Sequence, residues 1–129
     1  MANVPDNLLY TADHEYVKRG AAPGIVTIGV TDYAQGELGD VVFVNLPKPG
    51  EKFSAHQAFG TIEAVKAVSD LFSPVAGEVV EVNAALDADP AVVNRSPYEE
   101  GWMIRLKVDN PADVDALLTP AAYRTQIGA

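Results

Sequence analysis

The sequence predicts a mainly β protein made of two β layers, with short helices that include a C-terminal helical segment. Three observations predict this class. Short runs of Val, Ile, Phe and Tyr alternate with clusters of Gly, Pro, Asn and Asp, as in strands joined by tight turns. One strand-like segment occurs twice, and the last twenty residues change to a helical pattern. A chain of 129 residues fits one domain, which we expect to span 1–129.

The strands follow from the alternating pattern, and the first helix follows from its ends. Thr31 is a good N-terminal cap, and Gly39 is a good stop, so a short helix is expected between them. Residues 20–24 and 47–50 have the composition of turns. The predicted strands are 8–10, 15–19, 25–30, 41–46, the neighbourhood of 53, 59–65, 67–72, 77–83 and 102–108.

The tail carries two helix-start signals. Asn110-Pro111 precedes Val114, Leu117 and Leu118 on one face, and Thr119-Pro120 precedes Tyr123 and Ile127, four residues apart. We therefore expect a β core at about 24–108, followed by helices at about 111–127 that cover it.

The repeated segment links 39–45 to 77–83 at an offset of 77 − 39 = 38 residues. The two copies share the Gly, both central valines, the later Val and the Asn. Each copy begins at a Gly and enters an alternating strand. A repeat of this kind predicts two β-rich halves that pack face to face.

Charge and composition limit the partners. The chain has 18 Asp and Glu against 9 Lys and Arg, a net charge of −9, which disfavours nucleic acid and anionic membranes. It has no cysteine, so disulfides and thiolate chemistry are excluded. The N-terminus shows neither signal-peptide nor transit-peptide character, and no apolar run reaches a membrane span. We expect a cytoplasmic monomer.

The inventory for self-contained catalysis is poor. The two histidines, His14 and His56, lie far apart, and no HExxH, Walker A, G-x-G-x-x-G or G-x-S-x-G motif is present. The carboxylates are scattered, as expected for an acidic surface. The sequence therefore predicts neither an enzyme nor a metal site.

One lysine has an unusual setting. Lys66 lies midway between two strand-like arms, which predicts that it projects from the tip of a hairpin on a rigid support. Its neighbours Val65 and Ala67 leave room for an acylating enzyme to approach. Spacing alone also permits an ordinary solvated turn lysine.

Motifs along nearly the whole chain favour the first interpretation. The runs 63–67, 69–70 and 73–79 resemble the lipoyl-attachment region of glycine cleavage H proteins. Further landmarks resemble the same family in the expected order, at His14-Glu15, 28–35, 38–44 and 96–103.

The resemblance implies a barrel-sandwich hybrid fold, the lipoyl-domain type, and a non-catalytic carrier in glycine catabolism. Lys66 would form an amide with lipoic acid as N6-lipoyllysine, made by a lipoyl ligase or lipoyl transferase. The arm would take the aminomethyl group of glycine from glycine decarboxylase (P protein) to the aminomethyltransferase (T protein). Dihydrolipoamide dehydrogenase (L protein) would reoxidise the dithiol. A cofactor has to supply this sulfur chemistry, since no side chain of the chain does.

Family members hold the arm in a surface cleft, and the resemblance places Glu15 and Asp70 there. Carboxylates suit a cationic amine, although both residues also fit the description of ordinary exposed acids. The chain departs from the family at Tyr16, where Trp is common, and at Asp13, where a small polar residue such as Ser is common. We expect little effect of Tyr16. Asp13 either strengthens the hold on the cation or is merely solvated.

Three alternatives remain. Biotin carriers prefer Met on both sides of the lysine, and lipoyl domains of 2-oxoacid dehydrogenases usually carry Asp-Lys-Ala, whereas Lys66 lies between Val65 and Ala67. An H-like protein that relays lipoyl groups to other acceptors would use the same lysine. An enzyme in its own right is disfavoured by the missing motifs.

Overall fold

Two antiparallel sheets form the body of the protein, in a computed structural model that describes residues 3–20 and 22–128. The larger sheet has the strand order β1-β2-β3-β9-β8-β5, and the smaller has the order β4-β6-β7. The mainly β, two-layer prediction is confirmed. The strands are β1 Leu9–Tyr10, β2 Glu15–Arg19, β3 Ile25–Val30, β4 Val41–Asn45, β5 Lys52–Phe53, β6 Ala58–Ala64, β7 Val68–Phe72, β8 Gly77–Val82 and β9 Ile104–Val108.

Within residues 3–20 and 22–128, five short helices connect or cover the sheets: α1 Asp32–Leu38, α2 Ala85–Ala88, α3 Val92–Arg95, α4 Ala112–Asp115 and α5 Pro120–Ile127. The ends of α1 are as predicted. The Thr31 hydroxyl accepts a hydrogen bond from Ala34 N, and Gly39 ends the helix with a φ of +81°. α5 begins in the same way at Thr119, whose hydroxyl accepts from Ala122 N.

The core lies between the two sheets, because the inner face of each sheet carries apolar side chains that pack against the other. β6 contributes Phe59 and Ile62 from one side, and β9 contributes Ile104 and Leu106 from the other. A second, smaller cluster joins the N-terminal segment to α5, with the members Val4, Leu8, Tyr10, Tyr16 and Tyr123.

The two copies of the sequence repeat occupy opposite sheets. β4 lies in the smaller sheet and β8 in the larger one. Each has its register shift at the same point of the repeat, between Val41 and Phe43 in one copy and between Val79 and Glu81 in the other. If one strand arose by duplication of the other, both copies would be expected to keep the bulge at the same position, because bulges tend to be retained within protein families.

The structure differs from the sequence prediction at three places. Residues 84–101, where no element was predicted, contain α2 and α3. The first tail helix, α4, is a single turn, because Leu118 leaves the helix and pairs with Tyr10. Thr119 is extended ahead of Pro120, as residues before proline usually are. β1 and β2 precede residue 24, yet they belong to the larger sheet.

The predicted turn at 20–24 is closed by a hydrogen bond from Gly20 N to the Ile25 carbonyl. Ala21 of that turn, and residues 1, 2 and 129 of the expected domain, lie outside the described residues.

None of the helices in residues 3–20 and 22–128 has the length and apolar character that a membrane span requires. The cytoplasmic location stays a prediction.

Candidate functional site

Lys66 lies at the tip of the β6–β7 hairpin, as the sequence predicts. The hairpin is closed by a hydrogen bond of 2.8 Å from Ala64 N to the Ala67 carbonyl, which leaves Val65 and Lys66 at the turn. Lys66 is exposed, and its neighbours Val65 and Val68 are 73% and 66% exposed.

The hairpin tip is attached to the turn between α1 and β4. Val65 N donates to the Asp40 carbonyl at 3.0 Å. The Lys66 side chain passes over Gly39, where a Cβ atom would lie 2.9 Å from Lys66 Cε and 3.6 Å from Nζ. The lysine therefore leaves the tip along the C-terminal end of α1.

The turn that supports Lys66 is fixed from below by Asn94 of α3. Its side-chain oxygen accepts from Val41 N at 2.9 Å, and its amide nitrogen donates to the Gly39 carbonyl at 2.9 Å. The same nitrogen reaches Gln35 Oε1 at 3.0 Å. The Asn94 amide thus binds the backbone on both sides of Asp40, whose own carbonyl accepts from Val65 N.

A cleft of about 280 Å³ lies beside the same end of α1. Its walls are the 11–15 loop, one face of α1, and the β7 edge of the smaller sheet. The cleft is lined by Asp13, His14, Glu15, Val30, Tyr33, Ala34, Glu37, Leu38, Ile62, Ser69, Asp70 and Leu71. It combines an apolar floor with acidic groups at its rim and base.

Glu15 is the acid at the base of the cleft. Only 2% of its surface is exposed. One carboxyl oxygen accepts from Thr11 Oγ1 at 2.9 Å, and the other lies 3.4 Å from Phe72 N. Thr11 also accepts from the backbone N–H of Glu15 at 3.2 Å, so the loop that presents the carboxyl is itself fixed.

Burial changes the protonation of this carboxyl. Loss of hydration raises the pKa of Glu15 to about 8, against the opposing effect of the hydrogen bonds from Thr11 and Phe72. The negative charge of Asp13 makes a smaller contribution to the same rise in pKa. At neutral pH Glu15 is therefore mostly neutral, and a cation bound in the cleft would favour its ionised form.

The other predicted acid, Asp70, lies on β7 opposite Thr61 and is exposed. The structure thus brings Glu15 and Asp70 together in one cleft, one buried and one at the rim. Asp13 is exposed at the same rim. Tyr16, by contrast, points away from the cleft: it is fully buried, and its hydroxyl donates to the Pro97 carbonyl at 2.8 Å.

Several residues of the site carried no signal in the sequence. Thr11 acts through hydrogen bonds to Glu15, four residues away, that no motif of the sequence indicates. Asn94 acts through contacts with Gln35, Gly39 and Val41, which are distant in the chain. His14 lines the cleft in a left-handed conformation, with a φ of +67°, which is uncommon outside glycine. Burial lowers the pKa of His14, against the opposing effect of Asp13 and Glu37. The His14-Glu15 pair resembles a family landmark, but nothing in the sequence indicates that Glu15 is the more deeply buried of the two.

A metal centre has no support among the residues that the structure describes. Within them, no three His, Cys, Asp or Glu side chains come together as a possible ion site. The polar groups of the cleft are carboxyl, hydroxyl and imidazole groups around an apolar floor, which suits an organic group with a cationic end.

Known proteins match the chain over nearly its full length. The family model described as glycine cleavage H-protein matches residues 8–128. A glycine cleavage system H protein of Chlorobaculum tepidum is 58% identical over 126 residues, 98% of each chain. A mitochondrial one of Oryza sativa subsp. indica is 53% identical, over 95% of this chain and 73% of that protein.

The fold gives the same result. A crystal structure of a glycine cleavage system H protein from Mycobacterium marinum superposes with a TM-score of 0.88 at 42% identity. The match covers 98% of this chain and 100% of that one. The barrel-sandwich arrangement expected from the resemblance is thus confirmed. By sequence and by fold, the chain belongs to the glycine cleavage H-protein family.

Proposed function

We propose that this chain is a lipoyl-lysine carrier of the glycine cleavage system, with Lys66 as the attachment point. The protein itself catalyses no step. It presents the aminomethyl group of glycine, taken at the P protein, to the T protein, and the L protein restores the disulfide of the arm.

The observation that carries this proposal is the position of Lys66 relative to the cleft. The lysine lies at an exposed hairpin tip, and its stem runs along the end of α1, beside Leu38 at one end of the cleft. An arm attached there is accessible to a partner enzyme when extended. Folded back, it has an adjoining recess in which to shelter.

The residues of the cleft fit a lipoyl arm with a cationic cargo. Ile62, Leu71 and Val30 give an apolar floor for the ring and chain of the arm. Glu15 and Asp70 offer carboxyl oxygens to an ammonium group. A lipoyl group carried by Lys66 would supply the sulfur chemistry, which a chain without cysteine cannot provide itself.

Protection from water is the contribution of the chain's own residues. Glu15 by itself is mostly neutral at pH 7, so it adds no unpaired buried charge, and it would release its proton when a cation binds beside it. The cation is then paired in a site of low water content, where hydrolytic loss of the cargo is slowed.

The first experiment is lipoylation followed by intact mass. Incubation with a lipoyl ligase, lipoic acid and ATP should add one lipoyl unit, because only one lysine has this presentation. Lys66→Ala should remove the gain. Lys52→Ala, an exposed lysine in the other sheet, should keep it. Modification of the Lys66→Ala protein, or no gain in the intact chain, would contradict the attachment site.

Glycine-dependent release of carbon dioxide with a P protein then separates this function from a lipoyl relay. The lipoylated chain should support the release, whereas the Lys66→Ala protein should not. A lipoylated chain that passes its lipoyl group to other proteins, yet leaves the P protein inactive, would favour the relay.

The role of the two acids is tested by cargo lifetime. Glu15→Gln and Asp70→Asn should each speed the loss of the aminomethyl group, by about threefold to tenfold, since each removes one charge-assisted hydrogen bond. Lipoylation should be unaffected. Asp109→Asn, an exposed acid outside the cleft, is the control. Equal lifetimes in all four proteins would count against the holding role.

A further inference from the structure

The C-terminal helix reaches the walls of the cleft through one buried hydroxyl. Tyr123 of α5 has no exposed surface and does not line the cleft. Its hydroxyl lies 2.9 Å from His14 Nδ1 and 2.7 Å from Thr31 Oγ1. His14 belongs to the loop that forms one wall, and Thr31 caps α1, which forms another.

A backbone contact joins the same two walls. Thr31 N donates to the His14 carbonyl at 3.0 Å. Since His14 has a φ of +67°, its conformation is held by these surrounding contacts and is not one that its own backbone prefers. Glu15, the next residue, takes its direction into the cleft from this turn.

The direction of the hydrogen bonds can be assigned by counting donors. Thr31 Oγ1 already accepts from Ala34 N, so its own proton is free to be donated to Tyr123. Tyr123 then donates its proton to His14 Nδ1. The opposite direction would leave the buried Thr31 proton without an acceptor among residues 3–20 and 22–128, which is costly. His14 is therefore neutral, with its proton on Nε2.

We propose that Tyr123 is a positioning residue for the cleft: its hydroxyl joins the His14 loop to the start of α1 and so fixes the spacing of the walls that enclose the cargo. This inference rests on the proposed carrier function for its cargo. The helix α5 thereby has a second role beyond covering the small cluster around Tyr10.

The test compares two tyrosines that differ mainly in this contact. Tyr10 stacks on Tyr123 with ring centroids 4.7 Å apart and is equally buried, but its hydroxyl donates to the Pro5 carbonyl. Tyr123→Phe should shorten the lifetime of the aminomethyl cargo roughly fivefold, whereas Tyr10→Phe should leave it unchanged. Both variants should be lipoylated at the wild-type rate.

A spectroscopic readout needs neither lipoyl group nor partner. His14 and His56 are the only histidines of the chain, so their ring ¹⁵N signals are readily assigned. In the wild type and in Tyr10→Phe, His14 should carry its proton on Nε2, with Nδ1 accepting a hydrogen bond. In Tyr123→Phe, the Nδ1 signal should shift as that bond is lost.

The outcomes separate the two claims. Equal cargo lifetimes for both Phe variants, or an unshifted His14 signal, would overturn the positioning role. A wild-type chain that takes up no lipoyl group would instead contradict the carrier function. The ¹⁵N signals would then still show whether Tyr123 hydrogen-bonds to His14. If Tyr123→Phe does not fold, the proton NMR spectrum of the wild type is the test. A slowly exchanging Tyr123 hydroxyl proton with cross-peaks to His14 would support the contact. Absence of that signal would overturn the proposal.

Discussion

Glu15 departs most clearly from the ordinary behaviour of its residue type. A carboxyl group with 2% exposure would normally be paired with a cation, yet the Glu15 carboxyl accepts from a threonine hydroxyl and a backbone N–H. The protein tolerates this because the group stays protonated to about pH 8. Such an acid in a cleft is a mark of a functional site. It also makes stability depend on pH.

The sign of that dependence follows from the direction of the shift. Glu15 has a pKa of about 8 in the folded protein and an ordinary value near 4.5 when unfolded. Between these values the unfolded chain has released the proton that the folded chain still holds. The contribution of Glu15 is therefore complete below pH 4.5 and is lost as pH rises to 8.

Glu15→Gln should remove this loss, because the amide cannot ionise. The variant should gain stability relative to the wild type on going from pH 5 to pH 8, by an amount on the order of a few kcal/mol. Urea unfolding at several pH values measures it, with the exposed Glu99→Gln as control. A difference between wild type and Glu15→Gln that does not change with pH would contradict the raised pKa.

The element that decides where Lys66 points is the turn between α1 and β4. Gly39 adopts a φ of +81° and a ψ of −156°, a region that other residues enter only under strain. Its missing side chain also leaves the space that the Lys66 stem occupies. The Asn94 amide donates to the Gly39 carbonyl and Val65 N donates to the Asp40 carbonyl, so both residues of the turn are held in place.

Two glycines of this region allow a matched comparison. Gly39→Ala should cost about 1 to 3 kcal/mol of unfolding free energy and displace the Lys66 side chain, which should slow lipoylation. Gly36→Ala, inside α1 with open space around its Cβ position, should gain about 0.5 to 1 kcal/mol. Denaturant unfolding and lipoylation rates measure both effects. A Gly39→Ala protein with unchanged unfolding free energy and lipoylation rate would show that the backbone at this position is not restrained.

On the scale of the whole molecule, two sheets, each with one copy of the repeated strand, support the Lys66 hairpin and the cleft beside it. The smaller sheet supplies the hairpin with Lys66 and Asp70. The larger sheet supplies Glu15, at the start of β2. α1 lies between them, so the cleft exists only because the two sheets meet there.

The strands were predictable because half-buried strands alternate in polarity, as β6 does around Ile62. The ends of α1 were predictable because Thr31 and Gly39 act locally. α2 and α3 were not, since each is one turn long and is stabilised by burying Leu86 and Val93 in the core.

The site was predictable only in part, for the same physical reason. Lys66 has a local signal, its position between two strand arms. The burial of Glu15 depends on Phe72, 57 residues away, and the Tyr123 contact spans 109 residues to His14. Contacts of that range leave no periodicity or spacing in the sequence, and the family resemblance alone indicated Glu15 and Asp70.

The most direct test is whether glycine carbon arrives on Lys66. The lipoylated chain is incubated with a P protein and glycine labelled with ¹³C at its methylene carbon, then digested and examined by mass spectrometry. The peptide that contains lipoylated Lys66 should gain one labelled aminomethyl group, and no other peptide should. Absence of label from that peptide, while the P protein releases carbon dioxide, would contradict the carrier role.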